Sequence, residues 1–222
     1  MYKYLLNTAV VRLLASRWRV PVLKKLLRLH SLVERWVSTF AVESGVHVKH
    51  RLMKYHQFFV DNVGATDCVL DIGCGAGHVA YTVAQKAKQV VGIDIDRNYL
   101  APSVHYAAQT NLTFIQGDAT VYNFQQEFDV IILSNVLEHI DDRVALLQKI
   151  KKLAPKILIR VPMLNRDWLP LLKRELGLEY RLDPTHTIEY TEPEFRDELE
   201  QAGLTCTELF IRFGEIYCVA TT

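Results

Sequence analysis

Nine residues, Val69-Leu70-Asp71-Ile72-Gly73-Cys74-Gly75-Ala76-Gly77, constrain this 222-residue chain more than any others. A short apolar run passes straight into closely spaced glycines, and a helical pattern begins at His78. Glycine is needed where backbone must approach a ligand closely or take a positive φ that a side chain would block. A buried strand therefore ends here in a loop suited to a ligand's tail. Further short apolar strands are predicted at Gln89–Asp94, Leu112–Gln116, Phe128–Ser134 and Lys156–Val161, after the first at Cys68–Ile72. Helices predicted at His78–Lys86, Asn98–Gln109 and Asp141–Lys152 alternate with them, which argues for a parallel sheet built from right-handed crossovers. A helix over Glu192–Ala202, stopped by Gly203, leads to strands at Thr205–Phe213 and Gly214–Ala220. Only a tight turn at Gly214 separates those two, so they should pair antiparallel as a hairpin at the sheet's edge.

The glycine loop resembles a dinucleotide-binding turn, but the spacing G-x-G-x-x-G would require glycine where His78 stands. Asp71 is a second objection, because a carboxylate beside a pyrophosphate repels it. S-adenosylmethionine has the opposite needs: it carries a sulfonium and an ammonium and no phosphate, so Asp71 becomes attractive. Asp94 ends the second strand, where an acid accepts hydrogen bonds from ribose hydroxyls. Asp118, in Gln116-Gly117-Asp118-Ala119, is placed to accept from the adenine amino group, with the Ala119 N–H near the ring nitrogen. Taken alone, a glycine loop after a strand is equally a tight turn. Together with Asp71, Asp94, Asp118 and the terminal hairpin it forms an ordered set that chance turns rarely reproduce.

On these residues the chain resembles the class I S-adenosylmethionine-dependent methyltransferases, within them the broad type 11 group that includes quinone-biosynthesis and saccharide- or lipid-modifying enzymes. The likeness runs from about Leu52 to the C-terminus. The family's first motif looks like Val69 to Gly77, its ribose motif like Val91-Gly92-Ile93-Asp94, its adenine motif like Gly117-Asp118-Ala119, and its fourth like Phe128 to His139. The resemblance implies a three-layer, Rossmann-like α/β fold, its seven-stranded, mostly parallel sheet ordered 3-2-1-4-5-7-6 with strand 7 antiparallel. It implies S-adenosylmethionine as cofactor, held by Asp71, Gly73, Cys74, Gly75, Gly77, Asp94, Ile95, Asp118, Ala119, Ser134 and Asn135. The expected activity is methylation, at oxygen, of a small-molecule or lipid- or saccharide-linked acceptor. A methyltransferase-like protein that binds without turnover is the alternative, and a dinucleotide oxidoreductase the third reading.

Methyl transfer from a sulfonium draws much of its rate from holding nucleophile and methyl in near-attack geometry, so catalytic residues are harder to read than the cofactor loop. The fourth strand ends in Ser134-Asn135-Val136-Leu137-Glu138-His139, not in the N/D-P-P-Y motif of enzymes that methylate exocyclic base amines, and no nucleic-acid partner is expected. His139 has the intrinsic pKa range of a base, although in this family's motif that position packs beneath the cofactor or orients the loop. The segment Asp183 to Tyr190 concentrates polar groups where the family inserts its substrate cover. Within it His186 is the leading candidate base, with Glu189 or Asp183 orienting it and Tyr190 lining the acceptor pocket. Equally, Asp183-Pro184 makes a turn and His186 bonds to backbone. The cluster His47, His50, Arg51, Tyr55 and His56, carried on a helix predicted between Val46 and Val63, offers another wall. No metal site is expected: the charges of Lys49, Arg51 and Lys54 oppose a divalent cation there, and Asp141 and Asp142 read as a helix's first turn.

Charge divides the chain at its front. Up to Phe40 there are eight basic residues against the single acid Glu34, while the remainder is acidic. In that stretch Val22, Leu26, Leu29, Val33 and Trp36 form an apolar helical stripe, with Lys24, Lys25, Arg28, Ser31 and Arg35 largely opposite and Pro21 separating a shorter apolar helix before it. Such a helix either lies on a membrane surface, as would suit a lipid-linked acceptor, or caps the sheet or makes a homodimer contact. Residues 1–50 are accordingly read as a basic helical extension and 51–222 as the catalytic domain. Cys68, Cys74, Cys206 and Cys218 are too sparse for a disulfide framework. The chain shows no cleavable leader or spanning segment, so a cytoplasmic location is expected, with peripheral contact at the inner membrane surface as an option.

Overall fold

The computed structural model describes residues 16–43, 46–106 and 108–222. Along the chain run α1 (Arg19–Phe40), β1 (Val42–Glu43), β2 (Val46–His47), α2 (Lys49–Met53), α3 (His56–Asp61), β3 (Cys68–Ile72), α4 (His78–Ala84) and β4 (Gln89–Asp94). Then come α5 (Arg97–Leu100) continuing into a 3-10 turn (Ala101–Tyr106), β5 (Leu112–Gln116), β6 (Val130–Ser134), a second 3-10 turn (Leu137–His139) and α6 (Arg143–Ile150). The chain closes with β7 (Lys156–Pro162), α7 (Trp168–Glu175), α8 (Glu192–Gln201), β8 (Thr205–Arg212) and β9 (Glu215–Thr221). Contacts divide it into two compact units, one holding the chain up to Leu52 with Leu169–Tyr180, the other Met53–Trp168 with Arg181–Thr222.

The larger unit carries a seven-stranded sheet in the order β5-β4-β3-β6-β7-β9-β8. Counted from β3 as the first strand, this is the expected 3-2-1-4-5-7-6. β5 through β7 pair in parallel, and β9 is antiparallel to both its neighbours. Alternate residues of each strand feed opposite faces. Leu70, Ile131, Leu133, Ile157 and Ile159 meet Leu146, Leu147, Phe195 and Leu199 of α6 and α8 in one core. Val69, Ile132 and Leu158 meet Phe58, Phe59, Val79 and Val83 of α3 and α4 in the other. Both faces are therefore helix-covered, giving three layers. The C-terminal hairpin forms as expected, but only β8 is the edge: β9, buried along most of its length, lies one strand in.

Three expected helices differ in detail. The helix predicted between Val46 and Val63 is interrupted, because Lys54 takes a φ of 50° and separates α2 from α3. The one predicted over Asn98–Gln109 tightens into a 3-10 turn from Ala101, next to Pro102, which has no N–H to continue the α pattern. Asp142 caps α6 through a 3.0 Å bond from the Ala145 N–H, so α6 starts two residues later than predicted. In the smaller unit α1 has Pro21 in its first turn, where proline is tolerated; the shorter helix expected before it falls outside the described residues. Leu26, Leu29, Val33, Trp36, Val37 and Phe40 are exposed along α1, and only Leu27 is buried. Lys173 of α7 pairs with Glu34 of α1 at 3.7 Å within this unit. No helix among the described residues is long and apolar enough to cross a membrane.

Candidate functional site

Parallel pairing brings the carboxyl ends of β5, β4, β3 and β6 side by side, the place where open α/β sheets bind ligands. The loop after β3 is stitched to β4: the Gly73 and Cys74 N–H groups donate to the Ile93 carbonyl at 2.8 and 3.1 Å, and the Gly75 N–H donates to Asp94 Oδ2 at 2.8 Å. Gly73, Gly75 and Gly77 all have positive φ. A Cβ on Gly73 would meet Val136 at 2.6 Å and one on Gly77 would meet Phe114 at 2.5 Å, whereas Gly75 faces open space. The Cys74 side chain turns inward over Gly92, where burial pushes its thiol up, so only its backbone is left to a ligand.

Asp94 also accepts from the Asp96 N–H at 2.9 Å, which fixes its carboxylate at the end of β4, while neighbouring Ile95 is 66% exposed. Asp71 is 1% exposed and its Oδ2 has no partner among the described residues. Burial raises its pKa to about 8, against the downward pull of the Ala80 N–H. Asp118 folds back on Thr120, accepting from its N–H and hydroxyl at 2.9 and 2.7 Å. Lys149 of α6 holds that turn by donating to the carbonyls of Ala119, Thr120 and Tyr122. At the end of β6, Ser134 accepts from Arg160 at 3.3 Å, and Asn135 after it takes a φ of 58° with a buried Oδ1 that has no partner among the described residues. Two orphaned oxygens and an open glycine face fit a polar ligand with hydrogen-bond donors, as the ammonium and ribose of S-adenosylmethionine would supply.

At the proposed acceptor end, His139 and His186 come together, ring centroids 4.7 Å apart and edge to face. His186 is 5% exposed; its Nδ1 lies 3.2 Å from Glu189 Oε1, and Glu189 is further bonded by Arg166 and the Leu182 N–H. Those donors outweigh burial and hold the Glu189 carboxyl below its ordinary range. Asp183 does not orient His186 through its carboxylate but closes a turn on Thr185, and Thr185 Oγ1 lies 3.0 Å from His139 Nδ1. Burial, with His186 beside it, lowers the His139 pKa. Arg181 donates to the His186 carbonyl at 2.6 Å, and the His186 N–H donates to the Asp183 carbonyl at 3.1 Å, closing the turn read as the alternative while the ring itself faces Glu189.

Tyr190 is a correction. Expected to line the acceptor pocket, it is fully buried in the core, its hydroxyl donating to Glu198 of α8 at 2.6 Å. The cause is local: the Tyr190 N–H donates to the Pro162 carbonyl and its own carbonyl accepts from Leu164, which stitches it to the end of β7 and turns the ring inward. Of the histidine-rich cluster, His47 bonds Ser38 and Arg51 pairs with Glu43 in the smaller unit. In the larger unit His56 lies 2.9 Å from the Thr82 hydroxyl, its pKa lowered to about 4 by burial, and the Arg160 guanidinium stacks 3.8 Å over Tyr55. Sequence reasoning missed Glu138, which is completely buried with both oxygens unpartnered among the described residues; burial raises its pKa to about 8. A groove of about 350 Å³ between α3 and the β8–β9 hairpin, lined by Phe58, Phe210 and Arg212, takes in Tyr55 of that cluster but no residue of the glycine loop or of the His139–His186 pair.

The family model described as a methyltransferase domain matches residues 45–209. A ubiquinone biosynthesis O-methyltransferase of Rhodopseudomonas palustris (strain BisB5) is 32% identical over 149 residues, covering 63% of this chain and 59% of its own. Another, of Bradyrhizobium diazoefficiens, is 31% identical over 151 residues, covering 64% and 60%. The chain thus spans about three fifths of these relatives' length. Among solved structures, magnesium protoporphyrin IX methyltransferase from Synechocystis PCC 6803, with bound SAH, superposes with a TM-score of 0.62 at 20% identity, covering 89% of this chain and 99% of its own. At that identity the likeness is one of fold.

Proposed function

The chain belongs to the methyltransferase-domain family, and on that premise we propose that it transfers the methyl group of S-adenosylmethionine to an oxygen of a small-molecule or lipid- or saccharide-linked acceptor. One observation carries the reading: the Gly75 amide is clamped by Asp94 beside an open glycine face, with Asp71 Oδ2 and Asn135 Oδ1 left unsatisfied at adjoining strand ends. Asp71 and Asn135 would meet the cofactor's amino-acid end, Asp94 its ribose and the Asp118–Ala119 turn its adenine. When bound, the cofactor supplies an activated methyl whose transfer leaves a neutral thioether. The protein's part is to align the acceptor and deal with its proton, for which His186 and His139 are the groups at hand. The names of the similar curated enzymes support oxygen as the atom methylated.

Calorimetry with S-adenosylmethionine and S-adenosylhomocysteine, followed by turnover on phenolic and lipid-linked hydroxyl acceptors, tests the proposal. Uptake of both ligands, with NAD giving no thermal stabilisation, is expected. Absence of either uptake in folded protein overturns it, and uptake without turnover on any acceptor favours the non-catalytic alternative. The exposed apolar stripe of α1 beside Lys25, Arg28 and Arg35 supports contact with an anionic membrane surface, where a lipid-linked acceptor would reside.

A further inference from the structure

We propose that the outer edge of β8 pairs with the same edge of a second copy of this chain, antiparallel and centred on Phe210, so that two seven-stranded sheets join edge to edge. Such a dimer stands independently of the methyltransferase reading. Edge strands are ordinarily blunted by lysine, proline, brevity or a covering element, because their unpaired N–H and C=O groups template further pairing. β8 runs for eight residues without lysine or proline. Glu208, Phe210, Ile211 and Arg212 are exposed along it, and among the described residues its main chain bonds no strand but β9. Its one irregularity, the bulge between Cys206 and Glu208, leaves Glu208 to Arg212 in regular register.

The hairpin decides which groups face outward. Phe213 and Gly214 both take positive φ, so β8 and β9 join through a two-residue loop, and Arg212 exchanges both main-chain bonds with its register partner Glu215. By alternation the main-chain groups of Phe210 also point to β9, while those of Leu209 and Ile211 point outward. A two-fold axis beside Phe210 uses these outward groups fully: each Leu209 exchanges hydrogen bonds with the partner's Ile211. The same register sets each Glu208 directly opposite the partner's Arg212.

Charge selects this register over its neighbours. Centring on Leu209 or Ile211 leaves both charges without a partner, and centring on Glu208 or Arg212 sets like charges face to face. Opposite charges across a strand pair stabilise it and like charges destabilise it. Within one copy neither Glu208 nor Arg212 has an ion-pair partner among the described residues; Arg212 lies 4.9 Å over its neighbour Phe213 instead. The apolar part lies on the same face of the strand. Phe210 stacks on Tyr217 at 4.9 Å and meets Phe58 edge to face at 5.6 Å, yet remains 36% exposed. Opposite residues whose main-chain groups point away from each other bring their Cα atoms to about 4.5 Å, so the two Phe210 rings continue this aromatic ladder across the axis. One strand pair with an aromatic centre lies below the area of standard interfaces, which places the association in the micromolar range.

Sedimentation equilibrium on the full chain, with hydrogen exchange to locate the contact, tests the proposal. A monomer–dimer equilibrium is expected, with the Leu209 and Ile211 amides exchanging more slowly as concentration rises. Arg212→Glu turns two attractive pairs into two repulsive ones and should weaken the dimer at least tenfold, whereas Glu208→Arg combined with Arg212→Glu restores opposite charges and should return it to within about threefold of the wild type. Ile211→Lys, which places a charge on the edge itself, supplies a second disruption should Arg212→Glu fail to fold. A chain that stays monomeric up to about 100 µM overturns the proposal, as does a dimer that Arg212→Glu and Ile211→Lys leave intact, or a double variant no tighter than the single one. A dimer dissolved by Trp36→Glu but not by the β8 variants overturns it too, and moves the contact to α1.

Discussion

Asp94 uses one carboxylate to hold two backbone amides, those of Gly75 and Asp96, at the strand end where a ribose would lie. Asp94→Ala therefore loses the ribose acceptor and loosens the glycine loop together. Cofactor affinity should fall by about 1–3 kcal/mol, roughly tenfold to a hundredfold; an unchanged dissociation constant in calorimetry would remove Asp94 from the site. Asp71 gives a pH signature. Its folded pKa is raised to about 8 by burial, above an unfolded value near 3.9, so between those values the native state binds the extra proton. Ligand-free stability should consequently fall as pH rises from about 5 to 8, by at most about 1.4 kcal/mol per unit, and Asp71→Asn should flatten that slope in denaturant titrations. The placement of both acids was legible in the sequence because it follows from position at a strand's end. Glu138 and Tyr190 were not, because their burial depends on Thr187 and Pro162 arriving from distant segments to bond the Glu138 carbonyl and the Tyr190 N–H.

At the scale of elements, α6 does more than cover the sheet. Its Lys149 reaches three carbonyls in the turn after β5, so a core helix fixes the loop that carries Asp118 and Ala119. Lys149→Met keeps the aliphatic stem and removes the donors. It should lower cofactor affinity several-fold, with far-UV circular dichroism unchanged; equal affinity in the variant would mean the turn is held by Asp118 and Thr120 alone. Strand positions were readable because buried parallel strands are short apolar runs with few alternatives, while the sheet order came only with the family resemblance. Helix continuity was less so. The break at Lys54 needs a positive φ at a residue that rarely takes one, and composition does not announce it.

For the whole molecule, charge is as unevenly distributed as hydrophobicity: the basic excess sits before Phe40 and the acidic excess after it. The sequence revealed that split and the stripe on α1, but whether the stripe faces a core could not be read from periodicity, since a core-facing helix has the same spacing. In the structure Leu26, Leu29, Trp36 and Phe40 are exposed, with Lys25, Arg28 and Arg35 on the same helix. An interfacial helix gains from both terms, apolar burial and about 1 kcal/mol per basic residue near an anionic surface. The full chain should therefore sediment with anionic vesicles and not with zwitterionic ones, and salt should weaken the association by screening. Trp36→Glu should reduce it at least tenfold, since roughly 2 kcal/mol of side-chain burial is lost. If Trp36→Glu instead converts a dimer to a monomer and leaves vesicle binding unchanged, the stripe belongs to a second copy of this chain, and the acceptor need not be lipid-linked.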